Sequence, residues 1–254
     1  MIKYFTFWNI IILIVGTFAL QSCSVSTTNH YYADKKFSFA TDIDMAQALE
    51  MMKGLMPDSL NQDQDFLKME KYPRDWKSLY DLQKEDGKIT TNQDSIKILK
   101  KLFFKGNFDA NDFKGFSVKS EPLTKEELAA AGPLMGKESS VMNNSAFEDW
   151  DGKILRIDTS KLQMSPEELQ GILKGDDKGD SASPEEMSTF LNMMDMDFKN
   201  KLVFEKKIKS IKGKHDWIKK TDNNTIEAVF NLKDLMDKDH QFKDKDQFII
   251  IETE

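Results

Sequence analysis

The residues of this chain with the least ordinary chemistry are its fourteen methionines and its single cysteine. Thioethers bind Cu(I), and two groups, Met45, Met51, Met52 and Met56, then Met187, Met193, Met194 and Met196, would suit a copper carrier. Their spacing argues for packing instead. Met45, Met52 and Met56 share a helical face with Leu49, and Met187 and Met194 share one with Phe190 and Leu191, as gap-filling core residues do. Those five methionines, Met45, Met52, Met56, Met187 and Met194, are also the candidate lining of an apolar groove for an apolar ligand or lipid, because methionine repacks around varied shapes at little cost. No metal and no cofactor is expected.

The common catalytic signatures fail residue by residue. Gly132-Pro133-Leu134-Met135-Gly136-Lys137-Glu138 is one residue short of a phosphate loop and has Glu where a Mg²⁺-binding Ser or Thr must stand. Gly115-Phe116-Ser117-Val118-Lys119 lacks the second glycine of a nucleophile elbow, and no serine has Lys three residues on. His30, His215 and His240 are far apart and form no zinc pair. His240 with Asp237 and Asp239 is a polar loop cluster. Asp109, Asn111 and Gly115 suggest a calcium loop, but Phe113 and Lys114 stand where an oxygen ligand and the turn glycine belong. Carboxylates are abundant, so a hydrolase whose carboxylates converge only in the fold stays open as an alternative.

The elements that would position such residues follow from local pattern. Phe37, Phe39, Thr41, Ile43 and Met45 alternate with polar residues as a strand with one buried face, and a helix follows directly, capped by Asp44 and stopped by Pro57. Trp76, Leu79 and Tyr80 mark a short helix that Gly87 closes, and Asn92 caps another that gives way to strand near Lys101. Leu102 to Asp109 and Phe113 to Ser120 read as a hairpin turning at Ala110-Asn111-Asp112. Thr124 and Glu127 form a capping box, with Leu123 and Leu128 as staple, for a helix ending at Gly132-Pro133. Asp151-Gly152 is a strong hairpin turn, and Ser-Pro-Glu-Glu starts helices at Ser165 and Ser183. Phe198 to Ile211 reads as one long strand, bent where its alternation slips, with lysines protecting an edge. A turn at Asp222-Asn223-Asn224, a strand through Ile226, Ala228 and Phe230, a short helix capped by Asn231 and a last strand from Phe248 complete an α+β fold, an antiparallel sheet built from hairpins with helices packed on one side.

The first residues give an address. Lys3 is the only charge before Asp34, Ile10 to Leu20 is mostly apolar, and Leu20-Gln21-Ser22-Cys23 closes the run with a small residue before the cysteine. This resembles the lipobox of bacterial lipoproteins, with Gln21 departing from the usual small residue. The resemblance implies a diacylglycerol thioether and palmitate at Cys23, cleavage before it, and a lipid-anchored protein facing the periplasm from the cell membrane or the outer membrane. Residues 1–22 are then the signal peptide, 23–34 the lipidated cysteine and a flexible Ser/Thr-rich tether, and 35–254 the α+β domain, with 35–136 and 146–254 as candidate halves. From Phe37 onward the chain also resembles uncharacterised envelope lipoproteins of flavobacterial type, in the strand-to-helix stretch Thr41 to Met56 and the closing pattern from Leu202 to Glu252. That resemblance implies fold and address and carries over no functional residue.

Composition narrows the partners. With 39% hydrophobic and 31% charged residues the chain is balanced like a soluble folded domain, and its net charge of −7 makes nucleic acid a poor partner. Once Cys23 carries lipid no thiol is left for disulfides or thiolate catalysis. The sequence therefore favours a binding or scaffold module at the envelope, with the membrane, an envelope protein or an apolar ligand as its partners.

Overall fold

The computed structural model describes residues 23–55, 72–87, 90–135, 147, 149–162, 196–237 and 239–254. Twelve strands among them form two sheets. β1 (Cys23–Tyr31), β2 (Phe37–Asp44), β3 (Lys77–Ser78), β4 (Leu102–Asp109), β5 (Asp112–Ser120), β8 (Met196–Phe204), β10 (Ile218–Lys220) and β11 (Thr225–Asn231) make an eight-stranded sheet in the order β10-β11-β8-β1-β2-β5-β4-β3. β6 (Asp149–Trp150), β7 (Ile154–Asp158), β9 (Ile208–Lys212) and β12 (Phe248–Thr253) make the second, in the order β6-β7-β12-β9. The helices are α1 (Ala46–Leu55), α2 (Leu79–Glu85), α3 (Gln93–Lys101), α4 (Lys125–Met135) and α5 (Leu232–Met236). The class is α+β, and every strand pair is antiparallel except β1 with β8.

The local signals are realised as hydrogen bonds. Asp44 Oδ1 accepts from the Ala46 N–H at 2.9 Å to open α1. Asn92 Oδ1 accepts from Asp94 and Ser95 at 3.0 Å to open α3. In the capping box the Glu127 N–H donates to Thr124 Oγ1 while the Thr124 N–H donates to Glu127 Oε2. α4 runs on through Gly132-Pro133 to Met135, so the sequence placed its end too early. Lys101 Nζ lies 2.6 Å from Glu127 Oε1, tying the end of α3 to the start of α4.

Two expectations about strands are corrected. The stretch expected as a tether is β1, which sits in the middle of the large sheet between β2 and β8. Its alternate residues Val25, Thr27, Asn29 and Tyr31 are buried, and the hydroxyls of Thr27 and Thr41 bond across the strand pair at 3.0 Å, which lets polar residues occupy the buried face. Asn29 Nδ2 and Asn200 Oδ1 on the same face have no hydrogen-bond partner among the described residues. The second correction concerns Phe198 to Ile211. This is two strands in two sheets, β8 and β9, with the chain passing between the sheets at residues 205–207; the slip in alternation between Ile208 and Ile211 falls inside β9, where its register against β12 shifts between Glu252 and Thr253.

Both layers over the large sheet cover the same face. The small sheet buries Leu155, Ile157, Ile249 and Ile251 against Tyr31, Leu202, Phe204 and Ile226 of the large one. Helices α3 and α4 bury Ile98 and Ala131 with Leu102 and Leu123. Phe39 and Leu128 pack in both clusters, so the core is continuous across the two coverings.

Candidate functional site

The small sheet ends on β9 and the large sheet on β10, and between these unpaired edges the sandwich stays open. Ile211 pairs with Ile251, which is fully buried, so it stands on the inner face of its sheet, yet it is 38% exposed. Ile218 pairs with Ala228 and Lys220 with Ile226, so both belong to the inner face of the large sheet. The result is a cavity of about 440 Å³ with Ile211, Ile218, Ile226 and Ile249 as its apolar wall. Gly213 lets the chain leave β9 here. Its φ is +85°, and a Cβ at this position would strike the carbonyl oxygen of Phe248 on β12.

The rim is cationic. Lys214, Lys219 and Lys220 line the cavity and pair with no carboxylate among the described residues. The acidic groups alongside are committed to the loops. Asp216 accepts from the Lys243 N–H at 2.7 Å and the Asp244 N–H at 3.2 Å, and Asp246 Oδ2 accepts from the Lys214 N–H at 2.9 Å. Together with the bridge between His215 and Lys245 these bonds clasp residues 214–217 to 243–246.

His215 forms the back of the cavity and packs against Trp217 and Phe242, with ring centroids 5.1 and 5.0 Å away. Its Nδ1 accepts from the Trp217 N–H at 3.3 Å, which leaves the proton of the neutral ring on Nε2. Burial lowers its pKa below the ordinary value, Lys245 and His240 push the same way, and Asp216 opposes them. His240 meets Phe242 edge-to-face, ring centroids 4.5 Å apart, with Nδ1 3.6 Å from Asp234. Asp237 Oδ1 is taken up by the Asp239 N–H, so the polar cluster named from sequence is a hydrogen-bonded loop. Among the described residues no three His, Cys, Asp or Glu gather as metal ligands would.

The candidate methionines are only partly visible. Met45 is half-buried at the junction of β2 and α1, its N–H donating to the Lys114 carbonyl at 2.7 Å. The Met52 side chain, Met56, Met187 and Met194 lie outside the described residues. Sequence reasoning missed the open cavity between β9 and β10. Its signal was the lysine-rich sequence of both strands, of which only the lysines between Phe198 and Ile211 were read, as edge protection.

Cys23 is the first residue of β1. It is 2% exposed and packs with Ala48 and Met196. Burial raises the thiol pKa, a hydrogen bond from the Ala48 backbone opposes it, and Asp44 adds to the rise. A thiol so placed is a poor nucleophile in the folded protein.

No protein-family model matches the chain, nor does any curated protein. Among solved structures it is similar to the folded domain of LppM from Mycobacterium tuberculosis, determined by NMR. The two share 11% identity at a TM-score of 0.35, over 92% of this chain and 90% of that one. The likeness is too loose to carry any residue's role across.

Among the described carboxylates whose pKa is displaced, the direction is uniform. Asp34, Glu126, Asp158, Asp222 and Glu252 all have lowered pKa values, held down chiefly by hydrogen bonds from nearby N–H, hydroxyl or lysine groups. For Glu127 burial works upward but is outweighed by Lys101 and the Thr124 N–H. A general acid at neutral pH needs the opposite shift. Ser117 Oγ donates to Asp42 Oδ1 and the Asn107 amide donates to it at 2.8 Å, an arrangement with no histidine to take its proton.

Proposed function

We propose that this chain is a lipid-anchored envelope protein whose folded part is a binding module. The observation that carries the reading is the leader ending in Leu20-Gln21-Ser22-Cys23. Cleavage before Cys23 and acylation of its sulfur would bury long acyl chains at about 0.8 kcal/mol per methylene, enough for stable residence in a bilayer when two or more chains are attached. No helix among the described residues is long and apolar enough to cross a membrane.

The position of Cys23 adds two consequences. Its thiol is buried against Ala48 and Met196, so acylation belongs to the unfolded precursor, before β1 joins the sheet. Since β1 begins at Cys23 itself, the lipid would hold that end of the large sheet directly at the membrane surface, with no spacer. The open cavity between β9 and β10 supplies a place for binding.

The test is incorporation of labelled palmitate into the full chain, with fractionation of the envelope. Wild-type protein is expected to carry label and to sediment with membranes, and Cys23→Ala to lose both. Label or membrane attachment that persists in Cys23→Ala would overturn the anchor. Cleavage by protease on intact cells would overturn the periplasmic orientation.

A further inference from the structure

We infer that the cavity between β9 and β10 binds a single-chain anionic amphiphile, a fatty-acid carboxylate, with the chain against the isoleucines and the head group at the lysines. This deepens the binding-module reading and rests on it. The inner faces of the two sheets run out to their edges there without being covered by any described residue, so the apolar wall is continuous with the core: Ile226 and Ile249 are buried, Ile218 half-buried and Ile211 exposed. A slot graded in this way suits a slender apolar chain entering end-on from the edge, because each methylene deeper meets more apolar surface. Its volume, about 440 Å³, lies in the range of small-molecule sites, roughly 300–1,000 Å³.

The polarity of the mouth selects the head group. Lys220 stands on the same inner face as Ile226, at the open end, and Lys214 belongs to the same lining; Lys219, at the rim, pairs with Glu227 and so stands on the other face of β10. None of the three is neutralised by a carboxylate among the described residues. Asp216, which faces the same space, already accepts two backbone N–H bonds, and Asp244 is the other acid in the lining. Lys214 and Lys220, unpaired among the described residues, beside an Asp216 already engaged by two backbone N–H groups, favour an anionic head over a cationic or neutral one.

The experiment uses the full chain, produced with its leader and held in phosphatidylcholine nanodiscs, with a palmitate analogue carrying a photoreactive diazirine near the chain end. Its methyl ester serves as the uncharged control, and labelled peptides are mapped by mass spectrometry. We expect the acid to label residues 208–226 and 244–251, and the ester to label them more weakly. Lys219→Glu with Lys220→Glu should lower labelling by the acid about fivefold, the weight of roughly one exposed ion pair, while leaving the ester unchanged. Ile211→Asp, at an exposed position, should lower labelling by both probes in a protein of unchanged circular dichroism. Equal labelling by acid and ester, label confined to other peptides, or wild-type labelling of the double charge reversal would each overturn the proposal. The underlying readings fail separately: the anchor by palmitate retained in Cys23→Ala, and the binding module by release of free acid from the ester.

Discussion

The buried face of the large sheet is closed in one half and open in the other. Over β4 and β5 the cover is helical. α3 and α4 are capped by Asn92 and by Thr124 with Glu127, tied together by Lys101 and Glu127, and Ile98, Leu128 and Ala131 pack over the fully buried Leu102 and Leu123. Over β8 and β11 the cover is another sheet. A sheet carries its apolar face to its last strand, and where β9 and β10 both end unpaired the two faces gape. Among the described residues the helical cover contributes a sealed core, whereas the sheet-on-sheet half has both a core and an entrance. Function is expected at the entrance.

The comparison breaks first at the core, where the largest effects lie. Leu102 under the helices and Leu202 under the small sheet are both fully buried. Replacing either with Ala should cost about 2–5 kcal/mol, the usual cost of a cavity left by a buried leucine. Because Phe39 and Leu128 pack into both clusters, each variant should shift one and the same urea transition. A transition split in two by Leu202→Ala, with the α3–α4 half melting at its original midpoint, would show the halves to be separate units.

What the sequence disclosed divides along similar lines. Caps and tight turns are local, and they were legible: Asn92, Asn231, the Thr124 and Glu127 box, and the turns at Ala110 and Gly152 all stand where spacing put them. β1 was not legible, because a central strand with Thr27, Asn29 and a cysteine on its buried side shows no apolar alternation. Only its β-branched content, Val25, Thr27 and Thr28, hinted at strand. The passage between sheets after Phe204 was unreadable for another reason. Periodicity reports which side of a strand is buried and says nothing of which sheet buries it. The cavity combines both difficulties, since β9, β10 and β12 meet there only through the topology.

A smaller effect separates the halves by pH. Burial in the open half holds the pKa of His215 below its ordinary 6.5, so between that value and the folded-state value the unfolded chain binds more protons. The contribution of His215 is therefore complete above about pH 6.5 and is lost as pH falls toward the folded-state pKa. His30 on β1 shifts in the same direction, through burial and then Lys201, and adds a parallel loss. His215→Phe should lessen the drop in urea midpoint between about pH 7.5 and pH 5.5 without removing it. An unchanged drop would mean that the imidazole takes up its proton in the folded protein as readily as in the unfolded one.

The smallest effect expected on stability tests what the rim lysines are for. Lys219 and Lys220 lie on an edge strand, and lysines there are a common defence against pairing with a second copy of the chain. They also stand at the mouth of the cavity, and the two roles part company when the charges are removed. Both side chains are exposed and make no ion pair among the described residues, so Lys219→Ala with Lys220→Ala should change stability by no more than about 0.5 kcal/mol. If the lysines serve the cavity, sedimentation should show the same mass distribution as wild type at every concentration, while labelling by the fatty-acid probe falls. If they guard the edge, the variant should associate as concentration rises, because an uncharged β10 offers its free N–H and C=O groups to the β10 of another molecule, and labelling should fall only where association covers the mouth. Dilution separates the cases: labelling lost through pairing returns on dilution, and labelling lost with the cationic rim does not.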